Sequence, residues 1–416
     1  MSWVRELQLT NFRCYEQARL SDMEAGPVVL YGPNGAGKTN ALEAVSLLSP
    51  GRGLRGAKIG EIQRRTPSPQ RGEGGGEGDI KPEARHALYP PHPTLSPRGE
   101  GFKPWSISAS LETPYGKAQI GTGRDPVKDT RLVRINGAAA RGQNALAEYL
   151  SCVWLTPQMD GLFIDAASSR RRFLDRLVFA FDPSHSGRVT RYENAMRQRS
   201  RLLQEGSNNG RRADPAWLGG LEETMAETGV AIVAARADFT VRLQSAGRED
   251  EGRAFPLALL RAAGTIEELL QNSPALEVEQ LFKYQLEHSR GQDAVSGGAA
   301  TGPHKSDLTV RYAAKDMPAD QCSTGEQKAL LIGIVLAHSR LIKAEKGAPP
   351  ILLLDEVAAH LDDARRAALY DILLSLGGQV WLTGTDKELF RALYGRAAFY
   401  TIRENMPEKI LIDRVA

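Results

Sequence analysis

The chain has 416 residues, 41% of them hydrophobic and 25% charged, an ordinary globular composition with enough length for more than one compact unit. Its formal net charge of +3 is too small to indicate a polyanionic partner by itself, so any such argument must rest on local clusters. The three cysteines, Cys14, Cys152 and Cys322, are scattered without a CxxC pair, which argues against a zinc site or disulfide framework and fits a reducing, cytoplasmic setting.

The opening "MSWVRELQL" lacks the apolar stretch of a signal peptide. The longest apolar run, "ALLIGIVLA" from Ala329 to Ala337, is too short to span a bilayer. No membrane partner is expected unless through a separate subunit.

Val28–Tyr31 reads as a short buried strand, and Thr39–Leu48 as a helix with apolar spacing. Between them "GPNGAGKT" fits G-x4-G-K-[ST] at Gly32, Gly37, Lys38 and Thr39. Such a loop lets backbone N–H groups converge on phosphate oxygens at a helix N-terminus. Lys38 then reaches the β- and γ-phosphates and the Thr39 hydroxyl holds Mg²⁺; Pro33, Asn34, Gly35, Ala36 and Asn40 complete the ATP-binding stretch. A chance glycine-rich turn is the alternative, and the strand–turn–helix context argues against it.

Residues 63–103 are Pro/Gly-rich and repeat an "SP-RGEG" theme, a composition unable to bury enough apolar surface to order itself. The stretch reads as a disordered insert between two strands, since "WSISASL" from Trp105 resumes strand alternation. A basic DNA-binding tail is the other reading, but its acids offset its arginines.

From Ile164 to Arg212 there are eleven arginines against five acids and no lysine. Val189, Tyr192, Met196 and Leu203 share one helical face, with Arg188, Arg191, Arg199 and Arg201 around the rest. A second helical pattern runs from about Leu221 to Ser245, with Ile232, Ala235, Phe239 and Leu243 as its stripe. The two make an antiparallel pair, a stub too short for a long coiled-coil arm. Arg170, Arg171, Arg172, Arg188, Arg191 and Arg199, with Arg52 and Arg55 further upstream, are candidate phosphate contacts. They are alternatively a solvated helix face, or, for Arg171 and Arg172, braces between two lobes.

"CSTGEQKALLIGIVLAHSRLI" opens with N-cap residues Ser323 and Thr324 before a broad apolar helix. The stretch Ser323, Thr324, Gly325, Glu326, Gln327 thus offers a second helix start able to hold an anion. Ile351–Leu354 is a buried parallel-type strand ending in Asp355-Glu356, where ligands bind in open α/β sheets. Asp355 is placed to orient Mg²⁺, and Glu356 to polarise the attacking water as catalytic base beside Lys38.

The order of P-loop, S-x-G-x-Q, Asp-Glu and "HLD" resembles the ABC-type ATPases. Within them the chain is most similar to the SMC-related branch and its RecF family of DNA-repair ATPases, through "VRELQLTNFRCYEQARL", "SPGRGLRGA", "SSRRRFLDRLV", "TGPHKSDL" and "STGEQK". The likeness covers nearly the whole chain apart from the insert. It implies an α/β fold, an ABC/SMC-type P-loop ATPase head with an inserted, mostly helical second lobe. The head would comprise residues 1–160 and 301–416, and the helical lobe, with its short arm, residues 161–300. It further implies Arg13 of the "NFR" turn at the ATP, Gln158 as metal sensor or a plain loop residue, Asp362 in the D-loop, and Thr385, with Thr383 nearby, in place of a switch histidine. Lys305-Ser306 departs from the family's Arg-Asp, which weakens the case for His304 and Asp307.

By the same resemblance two chains would pair about ATP, Lys38 of one facing Ser323 of the other. The expected job is slow, DNA-stimulated ATP hydrolysis on gapped or single-strand/double-strand junction DNA, helping a RecR-like mediator, with RecO, to load the recombinase RecA. A transport ATPase subunit lacks support from the missing switch histidine, and an SMC-like chromosome organiser from the missing coiled coil.

Overall fold

The fold is seen in a computed structural model that describes residues 1–64, 104–208, 213–248, 254–405 and 409–415. Most of the expected insert, residues 65–103, lies outside the described residues. Its upstream edge is later than the composition indicates. Gln63 bridges Phe12 in a β-bridge, and its Oε1 accepts from the Trp105 N–H at 3.1 Å.

In chain order, β1 (Trp3–Phe12) and β2 (Tyr15–Leu20) form a hairpin whose turn puts Arg13 at φ 54°, the left-handed region. β3 (Pro27–Tyr31) then leads through the glycine loop into α1 (Lys38–Ser46). β4 (Ser106–Thr113), β5 (Gly116–Arg124), β6 (Arg131–Ile135) and β7 (Ala138–Ala139) continue the meander. β8 (Cys152–Leu155) precedes α2 (Ala167–Phe179), α3 (His185–Asn208) and α4 (Pro215–Arg248). Next come β9 (Ala258–Ala263), α5 (Thr265–Asn272), α6 (Ala275–His288), α7 (Arg290–Ser296), β10 (Asp307–Tyr312) and β11 (Met317–Pro318). The chain closes with α8 (Thr324–Lys346), β12 (Ile351–Leu354), α9 (Asp363–Leu376), β13 (Val380–Gly384), β14 (Ala398–Asn405) and β15 (Lys409–Val415).

The strands form three sheets among the described residues. An antiparallel one runs β2-β1-β4-β5-β6-β7, and a second, parallel except for β15 at its edge, runs β15-β14-β3-β13-β12-β8. In the second sheet β3, β12 and β13 are buried on both faces, which is why "PVVLY", "ILLL" and "VWLTG" read as continuous apolar runs. Alternation splits their side chains between two cores. Val28, Leu30, Leu353 and Trp381 pack toward the antiparallel sheet with Leu7 and Ile107. Val29, Leu352 and Leu382 pack on the other side with α8 residues such as Leu330.

The helical segment contains the expected pair, with α3 packed along α4. Tyr192, Ile232 and Val233 share a core with Phe282 of α6. α4 starts at Pro215, earlier than the apolar stripe indicates, because proline is well tolerated in the first helical turn. Two features cut across the boundary drawn at residue 300. β9 pairs with β10, which pairs with β11, making a small antiparallel sheet from both sides of it. Phe173, Phe239 and Leu243 also join the core that holds Val29 and Leu352. The second lobe is therefore fused to the head and is not purely helical.

Candidate functional site: a phosphate loop and a carboxylate pair

β3, β13, β12 and β8 are in parallel register, with Tyr31 beside Gly384 and Leu354 beside both Leu382 and Leu155. Their C-terminal ends therefore deliver the glycine loop, Thr383, Asp355-Glu356 and the Gln158 turn to one edge of the sheet. Open α/β sheets bind ligands at such an edge.

The loop is built by its glycines. Gly35 and Gly37 hold φ of 84° and 107°. At Gly37 a Cβ would lie 2.8 Å from Cys14 Sγ and 2.9 Å from the Tyr15 hydroxyl oxygen, so only glycine lets the hairpin turn lie against the loop. The Asn40 and Ala41 N–H groups donate to the Gly37 carbonyl at 2.8 and 3.1 Å, which starts α1. Lys38 is buried, and its amine donates to the Gly32 and Pro33 carbonyls at 2.8 and 2.9 Å. Burial lowers its pKa, while Glu356 and Asp355 oppose that shift.

Thr39 Oγ1 lies 3.0 and 2.9 Å from the two carboxylate oxygens of Asp355. Burial pushes the Asp355 carboxyl up, and hydrogen bonds from Thr383 and Thr39 pull it back. A threonine hydroxyl facing an aspartate is a hard-oxygen donor set, and it fits Mg²⁺ beside a phosphate loop. Glu356 follows at φ 54°, a strained conformation for a non-glycine residue and one that gathers at functional positions. Its N–H donates to Thr383 Oγ1 at 2.9 Å.

Gln158 is exposed on the turn after β8, beside the end of β12. Asp362 caps α9 by accepting from the Arg365 N–H at 2.8 Å. Arg13 sits against α1, donating to Glu43 Oε2 at 2.8 Å and the Glu61 carbonyl at 2.7 Å. Arg55 reaches Asn40 Oδ1 at 2.7 Å and also meets Glu43. The fully buried Glu43 thus ties the "NFR" turn and the "GRGLR" segment to the P-loop helix.

The signature stretch opens α8 with a capping box made by Ser323 and Glu326; Thr324 is already helical. The Ser323 hydroxyl donates to Glu326 Oε2 at 2.8 Å. Lys315, then Ser323, hold the Glu326 carboxyl down at about 2. Gln327 turns back to the Cys322 carbonyl at 2.9 Å. Among the described residues no hydrogen bond or ion pair joins residues 323–327 to residues 32–40.

Thr385 is exposed just beyond β13, and the Thr383 hydroxyl meets Asp355 at 2.7 Å. The arginine expectations need correction. Arg199 is fully buried, donating to Glu222 at 2.9 Å and Asp293 at 2.7 Å, so it cannot reach a phosphate. Arg170 clamps Asp307 through two bonds of 2.7 and 2.6 Å, and Arg171 donates to the Ser306 carbonyl at 2.7 Å. Both brace the fold, as does Arg188 through Asp182. Arg52, Arg172 and Arg191 remain exposed, as does Arg55 despite its contact with Glu43. His304 is half-buried, held by the Tyr192 hydroxyl at 2.7 Å and the Ala299 carbonyl at 2.9 Å.

Sequence reasoning missed two links. Lys328 pairs with Asp160 at 3.0 Å, joining the signature helix to the Gln158 turn. The other is the bond from Thr383 to Asp355: the sequence points to Thr383 beside Thr385, but nothing in it pairs that hydroxyl with the carboxylate.

This fold and this constellation define an ABC-type ATPase head of the SMC-related kind. A family model described as an AAA domain matches residues 6–79. A DNA replication and repair protein RecF from Mesorhizobium japonicum is 47% identical over 403 residues, which are 96% of each chain. A solved structure of the recombination mediator protein RecF-ATPrS in the RecFOR pathway superposes with a TM-score of 0.79 at 20% identity, covering 100% of this chain and 98% of that one. The Smc head domain derived from Pyrococcus furiosus, bound to the C-terminal domain of ScpA, gives 0.51 at 15% identity, covering 100% and 97%. The chain belongs to the RecF family.

Proposed function

We propose that this chain is an ATP-dependent DNA-binding protein of replication and recombinational repair, whose two copies close around ATP on gapped or junction DNA. The relatives are DNA replication and repair proteins, and the similar solved structure is of a recombination mediator. The observation that carries the nucleotide part is the Thr39–Asp355 pair lying beside Lys38 and Glu356 at one sheet edge.

The glycine loop binds the triphosphate through its N–H groups, and Lys38 supplies a positive charge at the β- and γ-phosphates. Mg²⁺, held by Thr39 and oriented by Asp355 with Gln158 as a further candidate, supplies charge neutralisation to the phosphates when bound. Glu356 orients the attacking water and takes its proton. Ser323 to Gln327 grip the γ-phosphate from the second copy, and Asp362 lies in that contact. Hydrolysis weakens the grip, so nucleotide shifts the dimer equilibrium by its differential affinity for the closed pair.

Slow, DNA-stimulated turnover suits such a timer. Exposed Arg52, Arg55, Arg172 and Arg191 are the remaining DNA candidates from the arginine set. A RecR-like mediator, with RecO, would then receive the marked junction for RecA loading in the cytoplasm. The test is salt-dependent binding to gapped and blunt duplex, with and without ATP. Tighter ATP-dependent binding to the gapped DNA supports the reading, and equal ATP-independent binding to both overturns it.

A further inference from the structure

We propose that Thr383 is a positioning residue for the metal and the water at the ATP site. It would set which oxygen of Asp355 faces the metal and how Glu356 leaves its strand. The inference rests on reading this edge as an Mg²⁺–ATP site.

Thr383 is fully buried in β13, between β3 and β12. Its hydroxyl donates to Asp355 Oδ1 at 2.7 Å and accepts from the Glu356 N–H at 2.9 Å. Both directions are fixed by chemistry, because an ionised carboxylate only accepts and an amide N–H only donates. The paired register of β12 and β13 ends at Leu354 beside Leu382, so the side chain takes over just where the backbone ladder stops.

Two consequences follow for the carboxylate pair. Oδ1 of Asp355 serves both Thr39 and Thr383, while Oδ2 meets Thr39 alone. When Thr39 turns its oxygen to a cation, Thr383 still holds Oδ1, and Oδ2 is the oxygen left to face that cation. The N–H bond meanwhile anchors Glu356 in its left-handed conformation, which aims the base. A strand needs only the β-branched shape here, and valine would supply it. A buried hydroxyl is costly unless bonded, so its two bonds are its reason to be present.

Groups that orient metal-binding residues typically change metal affinity or activity by about 10–100-fold when removed. The test compares full-length wild type, Thr383→Val and Thr383→Ser. Each is titrated with mant-ATP, first in EDTA and then across Mg²⁺ concentrations, with phosphate release measured at saturating Mg²⁺. In Thr383→Val the metal-free affinity stays within about twofold of wild type, while the Mg²⁺ needed for half-maximal tightening rises about tenfold. Its kcat falls by about tenfold with KM for ATP unchanged, and Thr383→Ser returns both values to within about twofold.

An unchanged Mg²⁺ requirement in Thr383→Val, or failure of serine to rescue it, overturns the assignment. So does a valine chain that loses metal-free binding or its cooperative unfolding, since the hydroxyl would then be merely structural. If wild type itself shows no Mg²⁺-dependent tightening, the reading of the site as Mg²⁺–ATP fails instead.

Discussion

Thr39 and Asp355 are 316 positions apart in sequence, yet the Thr39 hydroxyl lies within 3.0 Å of both Asp355 carboxylate oxygens. The parallel pairings of β13 with β3 and with β12 bring them together, so the proposed metal seat is a product of sheet order. Thr39→Val keeps the shape of α1 and removes the oxygen. It should retain metal-free mant-ATP binding and lose about 10–100-fold in Mg²⁺ affinity, read from Mg²⁺ titration of nucleotide binding. Equal Mg²⁺ dependence would remove Thr39 from the seat.

Glu356→Gln keeps the side-chain size and removes the proposed base. Turnover should fall about 10²–10⁴-fold while ATP still binds and its dimer persists, as read by phosphate release and sedimentation velocity. Unchanged turnover would assign the proton to another group.

Arg199 and Arg191 lie on the same helix but should behave in opposite ways. Arg199→Ala strips the buried Glu222 and Asp293 of their partner and should cost about 3–5 kcal/mol in urea unfolding. Arg191→Ala, on the exposed surface, should change stability by less than about 0.5 kcal/mol. It should also reduce the salt slope of DNA binding by about one. A harmless Arg199→Ala would contradict the buried cluster.

That contrast shows where sequence reading stops. The P-loop, the "ILLL" strand and the capped start of α8 are legible because each is fixed by neighbours within a few residues. β12 runs from Ile351 to Leu354, as its apolar pattern predicts. Arg199 was misplaced because the periodicity of α3 predicts one buried face, whereas α6 and α7 cover it from a second side through Leu286 and Asp293. The β9–β10–β11 sheet escaped notice because α5, α6 and α7 separate β9 from β10 in the chain and β11 has only two residues. Thr383 and Thr385, two residues apart and so of one face by alternation, could be told apart only by burial, since β13 ends at Gly384 between them.

His338 carries an acid sensitivity. Its ring packs edge-on against Phe181 and Phe239, its Nε2 meets the Leu177 carbonyl at 3.1 Å, and burial pushes its pKa down to about 3 from 6.5. The unfolded chain takes up a proton below pH 6.5 that the folded chain refuses, so this contribution is complete above 6.5 and is lost as pH falls toward 3. Between pH 7.5 and 5.5 it amounts to roughly 1 kcal/mol. Urea unfolding at both values should show a drop smaller by that amount in His338→Leu. Identical drops would mean the ring accepts its proton in the folded state.

The central claim is that each ATP is held by Lys38 of one copy and Ser323 of the other, and mixing two defective chains tests it most directly. Lys38→Ala and Ser323→Arg should each fail to dimerise with ATP in sedimentation velocity while keeping their fold. A heterodimer of the two holds one intact site, the Lys38 of one chain facing the Ser323 of the other. Mixed equally, the two variants should regain part of the ATP-dependent dimer and part of the turnover. A mixture as inactive as its components, or a full ATP-driven dimer from either variant alone, would contradict the shared site.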